Sequence, residues 1–185
     1  MGTAVTTLRT ESEALLQAAG VLGRLCQQAA REALDHHASD AGDVVAFLAE
    51  FGDGCHYAKK ERLLFPMLVQ RGVATDSGPV AVQRSGRIQA RELLDAMRHA
   101  QVSWAVGNGR SGRRFSIAAT AYHALLEWLI DAERNVLFTI VDRVLDHHEQ
   151  KRLVQSFAQF DREVLGNERR QALMGGIEAL RRQYA

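Results

Sequence analysis

Apolar residues recur at intervals of three or four along most of this chain, the spacing that gathers side chains on one face of an α-helix. In the first such stretch, Leu8, Leu15 and Ala19 follow this spacing. Polar or glycine-rich connections interrupt the pattern at residues 35–42, 72–78 and 107–114. The pattern predicts four long helices, over about residues 4–34, 43–69, 79–104 and 115–145.

The end of the chain repeats the pattern in shorter pieces. One or two further helices are predicted there, with interruptions at Gly166 and at Gly175-Gly176. The pattern therefore predicts an all-α fold.

Two polar residues of the second predicted helix lie on its apolar face, in a stretch that Pro66 is expected to end. His56 and Lys60 are four residues apart, so their side chains stack on one side of the helix. A histidine and a lysine in a hydrophobic interior each need a partner. At about 100° per residue, the same line collects apolar or small residues: Val45, Ala49, Gly52, Leu63 and Met67.

Composition excludes several classes of protein. A chain of 185 residues suits one domain with a single core. With 23 Lys and Arg against 22 Asp and Glu, no strongly basic face predicts a nucleic-acid partner. No apolar run reaches the roughly 18 residues of a membrane span, so no membrane partner is expected. The two cysteines, Cys26 and Cys55, favour reduced thiols and a cytoplasmic location.

Two segments carry a resemblance to a known family. The stretch from His56 to Pro66 resembles the His-x-x-x-Glu-Glu-x-x-Leu-Phe-Pro signature of the hemerythrin-like (HHE cation-binding) family, with Lys60 in place of the first Glu. The stretch from Leu129 to Phe138 resembles that family's His-Ile-x-x-Glu-Asn-x-Val-Leu-Phe, with Leu129 in the histidine position. The resemblance implies an up-down-up-down four-helix bundle, over residues 1–146, that holds two irons and binds O₂ or NO, senses iron, or serves redox chemistry. It also implies a C-terminal helical extension over residues 147–185 that packs on the bundle.

Most of the iron ligands that the resemblance implies are replaced. Ser12 stands at the histidine position of the first helix, and Gln83 at that of the third. Only His56 and Glu133 remain as matching ligands, so they are the metal candidates if any metal binds. No cofactor is therefore expected, although the resemblance keeps iron open. Lys60 facing the remaining ligands would also repel a divalent cation.

An ion pair between Lys60 and Glu133 is predicted to replace the metal, because the two positions face one another in the family. The alternative is that the Lys60 side chain extends outward to solvent. The predicted pocket consists of residues on the inner faces of the four helices: Ser12, His56, Lys60, Gln83, Arg87, Tyr122, Leu129 and Glu133. His123 and Glu127, also four apart, are interpreted as a surface pair rather than a new ligand pair.

Three functions follow from this reading. The first is a metal-free binding or regulatory module with a polar interior. The second is a residual mononuclear iron or other metal protein that senses O₂ or NO. The third is an enzyme that uses buried Lys60, Glu133, His56 and Tyr122 on a small molecule, with Lys60 as nucleophile or base. The expected partner is a small molecule or a protein, and a homodimer is one option.

Overall fold

The computed structural model describes residues 2–31 and 36–185, and in these residues 91% helix and no strand confirm the all-α prediction. Two of the six helices are assembled from consecutive segments, some with α-helical and some with wider π-helical turns. None of the described helices is long and apolar enough to cross a membrane. The helices are α1 (Thr3–Arg31), α2 (His36–Phe47, Leu48–Tyr57, Lys60–Leu64 and Phe65–Gln70), α3 (Gly78–Ala105), α4 (Gly109–Ala132, Glu133–Leu137 and Phe138–Val144), α5 (His147–Val164) and α6 (Asn167–Gln183).

The first four helices form the predicted bundle. Each packs against its neighbours in a ring, α1 on α2 and α4, and α3 on α2 and α4. One apolar cluster contains the beginnings of α1 and α3 together with the ends of α2 and α4. Sequential helices therefore run in opposite directions, which is the up-down-up-down arrangement. Helices α5 and α6 lie against α1 and α2.

Polar side chains divide the core into two apolar parts. Along α1, Leu8 belongs to the smaller cluster and Leu15 to the larger one. Glu11 and Ser12, which are buried, lie between them. The same change from one apolar cluster to polar residues and then to the other occurs in α2, α3 and α4. A layer of polar residues therefore crosses the whole bundle.

Three predicted boundaries were wrong. Helix α2 begins within the predicted connection 35–42, because Ala38 and Ala41 are buried and draw that stretch into the fold. Helix α4 begins within the predicted loop 107–114, since Ser111 packs inward one turn before Phe115. Gly175-Gly176 does not interrupt α6. The break at Gly166 is confirmed, and its φ of 74° explains why a glycine is present. Residues 32–35 lie outside the described residues.

Wide turns shift the buried face of α2 and α4. In α2 the carbonyl of Lys60 accepts the N–H of Phe65, and in α4 the carbonyl of Glu133 accepts the N–H of Phe138. Each bond spans five residues instead of four, so one residue is added to the turn. In α2 the pattern predicted that Leu63 and Met67 face inward, whereas the fully buried residues come one position later, at Leu64 and Leu68. In α4 the fully buried residue at the place corresponding to Leu68 is Val141.

The same turn explains why Pro66 does not stop α2, which continues to Gln70. A proline within a regular α-helix leaves one carbonyl without its N–H and presses its ring against that carbonyl. The preceding π turn displaces the backbone from the α-helical register at this point. The helix can therefore pass through the proline.

Candidate functional site

Lys60 lies at the centre of the polar layer. Its side chain is 1% exposed, which excludes the alternative that it extends to solvent. Its Nζ lies 3.1 Å from Glu133 Oε2, confirming the predicted contact, and 3.2 Å from Gln83 Oε1. Burial lowers the pKa of the Lys60 amine, and the Glu133 carboxylate opposes this shift. The ion pair joins α2 to α4, and the Gln83 contact adds α3.

Gln83 and Leu129, which stand at two replaced ligand positions, are in contact with each other. The Gln83 amide donates to the backbone carbonyl of Leu129 at 3.0 Å, so Gln83 bridges Lys60 and α4. The Leu129 side chain fills space above Gly86, where an added Cβ would lie 2.2 Å from Leu129 Cδ2. An apolar leucine on α4 thus requires a residue without a side chain on α3.

We expect Gly86→Ala to lower the free energy of unfolding by about 1–3 kcal/mol, the usual effect of overfilling a packed core. The new methyl group would displace the Leu129 side chain and, through it, the Gln83 contact. Gly175→Ala is the matched control, because nothing lies within 4 Å of a Cβ at that helical position. Urea unfolding of both variants measures the difference, and equal stability would contradict the close packing at Gly86.

Glu11 organises a second group of polar contacts next to Lys60. Its Oε2 lies 2.9 Å from His56 Nδ1, and its Oε1 lies 2.7 Å from Lys59 Nζ. Burial alone would raise the pKa of Glu11, but the hydrogen bond from His56 and the charge and hydrogen bond of the Lys59 ammonium outweigh it and lower the pKa to about 2. Glu11 is therefore a carboxylate at neutral pH.

His56 is held in its neutral form. Burial, followed by the charge of Lys60, lowers the pKa of this imidazole, although Glu11 opposes the shift. A neutral imidazole that faces a carboxylate donates its Nδ1–H to it, which leaves Nε2 with a lone pair. Three buried polar atoms near Lys60 have no hydrogen-bond partner among the described residues: His56 Nε2, Tyr57 Oη and Glu133 Oε1.

The C-terminal helices take part in the same network. Asp161 of α5 lies 2.5 Å from Lys59 Nζ and accepts a hydrogen bond from the Cys55 thiol at 3.0 Å. Arg170 of α6 binds Asp161 at 3.0 Å and reaches Glu11 at 3.4 Å. Burial, together with Asp161, raises the pKa of Cys55 to about 12, so this thiol stays protonated.

The other predicted pocket residues lie at the margins of this network. Ser12 is buried, and its hydroxyl donates to the Leu8 carbonyl of its own helix at 2.9 Å. Arg87 pairs with Asp53 at 2.7 Å and also with Glu61, towards the surface. Tyr122 is a buried residue of the larger apolar cluster, and burial raises the pKa of its hydroxyl.

His123 and Glu127 form the predicted surface pair. Their closest polar atoms are 3.4 Å apart, and both side chains are at least partly exposed. This pair is separate from the contacts of Lys60.

The sequence analysis did not predict the part that six residues take in the network: Glu11, Cys55, Tyr57, Lys59, Asp161 and Arg170. Glu11 carried a readable signal, because it lies three residues after Leu8 and four before Leu15, on the apolar face of α1. On a regular α-helix, His56 and Lys60 lie on one line, and Tyr57 and Lys59 lie to either side of it. The apolar-face pattern therefore did not single them out. The Lys60 ammonium lies over the Tyr57 ring, 4.3 Å from its centre.

The donors around Lys60 do not fit a family-type metal centre. The described residues contain no group of three or more His, Cys, Asp and Glu side chains placed to hold a metal ion. Glu133 shares an oxygen with an ammonium, and His56 Nδ1 is engaged by Glu11. A divalent cation between His56 and Glu133 would meet the Lys60 charge at close range.

Comparison with known proteins gives one match. The model of the hemerythrin HHE cation-binding domain matches residues 3–141, which span the four bundle helices up to near the end of α4. No curated protein and no solved structure matches the chain.

Proposed function

The chain belongs to the hemerythrin HHE cation-binding family, and we propose that it is a metal-free binding or regulatory module of that family. Its partner in this proposal is a small molecule or another protein. The main observation in favour of this proposal is the position of the Lys60 ammonium, which lies within 3.2 Å of both Glu133 and Gln83 in the interior of the bundle. A cation supplied by the protein itself thus occupies the space between these residues.

Charge balance in the polar layer supports this proposal. An isolated buried charge is costly, so it is normally paired or bound to a metal. Three carboxylates meet three cationic side chains here, so these six side chains leave no net charge for a metal to neutralise. The carboxylates are those of Glu11, Glu133 and Asp161, and the cations are those of Lys59, Lys60 and Arg170.

The extent of the network supports a regulatory role. Its side chains come from all six helices described, and Lys59 links the bundle directly to α5. A ligand or partner that changed one ion pair would alter contacts of both the bundle and the C-terminal helices. The proposal includes a reducing cytoplasmic setting, which the free thiols of Cys26 and Cys55 support.

We expect protein from iron-supplemented cells to contain well under one equivalent of iron and to lack the near-ultraviolet bands of an oxo-bridged iron pair. The reason is that Lys60 repels a divalent cation and holds one of the two remaining ligands. Elemental analysis and absorption spectroscopy measure both quantities. Two tightly bound irons per chain would contradict the proposal.

A rebuilt variant is the positive control for that measurement. Ser12→His, Lys60→Glu, Gln83→His and Leu129→His together restore the ligand types that the family resemblance implies. Iron binding by this variant would show that the helices still present the required geometry. A variant that folds and does not bind iron would show that the wide turns of α2 and α4 have displaced the ligand positions.

Mononuclear metal binding is a second candidate function, favoured by the lone pairs of His56 Nε2 and Glu133 Oε1 that have no partner in the described part of the chain. Imidazole and carboxylate together suit iron or zinc. If this candidate is correct, the parent protein binds one equivalent of metal and the Glu133→Gln variant binds none. The Lys60→Met variant binds the metal more tightly than the parent, because the repelling charge is gone. A metal content unaffected by either change would exclude this candidate.

A further inference from the structure

The outer face of α4 carries an apolar stripe that the bundle does not use. Ile117 and Trp128 are 64% and 56% exposed, and Ala121 and Ala124 between them are exposed as well. The spacing of four, three and four residues makes the four side chains contiguous over about 16 Å of helix. Apolar side chains scattered singly on a surface are ordinary, whereas a contiguous exposed patch marks an interaction site.

The order of residues in this stripe is symmetric. About the point between Tyr122 and His123, Ile117 mirrors Trp128, and Ala121 mirrors Ala124. If two copies of α4 pack antiparallel about a two-fold axis at this point, Ile117 of each copy therefore contacts Trp128 of the other. The two alanines at the centre let the helix axes approach closely. A two-fold interface needs this kind of self-complementarity, because residue i meets j and j meets i.

Charge follows the same symmetry. Arg114 and Asp131, both exposed, mirror one another on the same stripe, one turn beyond Ile117 and Trp128. In the antiparallel pair, Arg114 of each copy would face Asp131 of the other, which gives two equivalent ion pairs. A parallel arrangement would place like charges opposite one another, at a cost that disfavours it. Within its own chain, Asp131 accepts a hydrogen bond from Asn135 at 2.7 Å, a contact that holds the carboxylate in place on the helix surface.

We propose that the outer face of α4, from Arg114 to Asp131, is an isologous dimer interface that binds a second copy of this chain in antiparallel orientation. The occupant is identified by the mirrored order of large, small and charged residues, which a different protein would have no reason to match. This interface lies on the surface opposite the buried face of α4 that carries Tyr122 and Glu133. It is therefore independent of the function proposed for the interior.

Sedimentation over a micromolar concentration series tests the proposal. The parent protein is expected to dimerise, and Trp128→Glu is expected to raise the dimer dissociation constant by about a hundredfold, because a large aromatic residue is lost from both halves of the interface. Ile88→Glu is the matched control, since Ile88 is equally exposed at 62% but lies on α3. A parent that stays monomeric, or a dimer that Trp128→Glu leaves unchanged, would overturn the proposal.

Charge reversal tests the orientation. Arg114→Asp and Asp131→Arg should each weaken the dimer about tenfold, because each places like charges opposite one another. The double reversal should restore the parent affinity. Circular dichroism of each variant confirms that the fold is unchanged. If the single variants weaken the dimer and the double variant does not recover it, the antiparallel pairing is overturned. If the chain is monomeric and captures a different protein, the stripe belongs to that partner instead.

Discussion

Lys60→Met is expected to lower the free energy of unfolding by about 3–5 kcal/mol, because it leaves the Glu133 carboxylate buried without its partner. Glu133→Gln is expected to have a similar effect, since it leaves the Lys60 ammonium without a counter-charge. Both side chains are 1% exposed, so water cannot compensate for the loss. The double variant should recover much of the stability, because it leaves neither charge buried without its partner.

A double-mutant cycle, measured by urea unfolding, gives the coupling energy of this pair. Glu50 and Arg169 form the matched control, with a 2.6 Å contact between two side chains that are 39% and 49% exposed. Exposed pairs typically couple by about 0–1 kcal/mol. A coupling for Lys60 and Glu133 no larger than that of the exposed pair would contradict their role as the charged centre of the bundle.

Glu11→Gln is expected to remove about 3 kcal/mol of stability at neutral pH. This magnitude follows from a pKa that falls from 4.5 to about 2 on folding, at about 1.4 kcal/mol per pKa unit. The amide that replaces the carboxylate would also face two donors, His56 Nδ1 and Lys59 Nζ. Chemical unfolding at pH 7 measures the loss, and a change of less than half a kcal/mol would contradict the role of Glu11.

The pH dependence of stability gives a second measurement on Glu11. Its folded pKa is depressed, so its contribution is complete above pH 4.5 and is lost as the pH falls towards 2. The folded pKa of His56 is also depressed, so stability begins to fall once the pH drops below 6.5. Stability of the parent should therefore rise with pH throughout this acidic range.

Glu11→Gln should flatten this profile between pH 4.5 and 2. The control is Glu178→Gln, because Glu178 also pairs with an arginine, Arg181, but its side chain is 40% exposed and solvent screens the interaction. The control should keep nearly the parent profile. Equal profiles for the two variants would show that the acid sensitivity arises elsewhere.

The sequence was sufficient to predict that the bundle helices exist and, through the family resemblance, that Lys60 pairs with Glu133. The spacing of apolar residues located all four bundle helices, and His56 and Lys60 stood out because polar residues occupied an apolar face. The burial of Lys59 could not be predicted, since its partners are Glu11 of α1 and Asp161 of α5. Asp161 and Arg170 could not be predicted either, because their contacts depend on how the last two helices pack on the bundle.

Helix ends were predicted less well than helix interiors. A short polar stretch such as the one before Val44 looks like a connection until burial of Ala38 and Ala41 by other helices is known. Similarly, the two glycines of α6 lower the local helix propensity, yet Leu173 and Ile177 on either side of them anchor that helix in the larger apolar cluster. In both places tertiary packing outweighed the local preference.

The paired π turns of α2 and α4 also constrain how this sequence can change length. Each turn holds one residue more than a regular helix needs, at equivalent places that begin with Lys60 and Glu133 and end one residue before Phe65 and Phe138. Deleting a single residue within one of these turns would let the helix close into regular α geometry without breaking its backbone hydrogen bonds. The same deletion in a regular α-helical part of these helices would rotate every later side chain by about 100°. Single-residue deletions should therefore be accommodated at these two turns better than in the α-helical parts of the two helices.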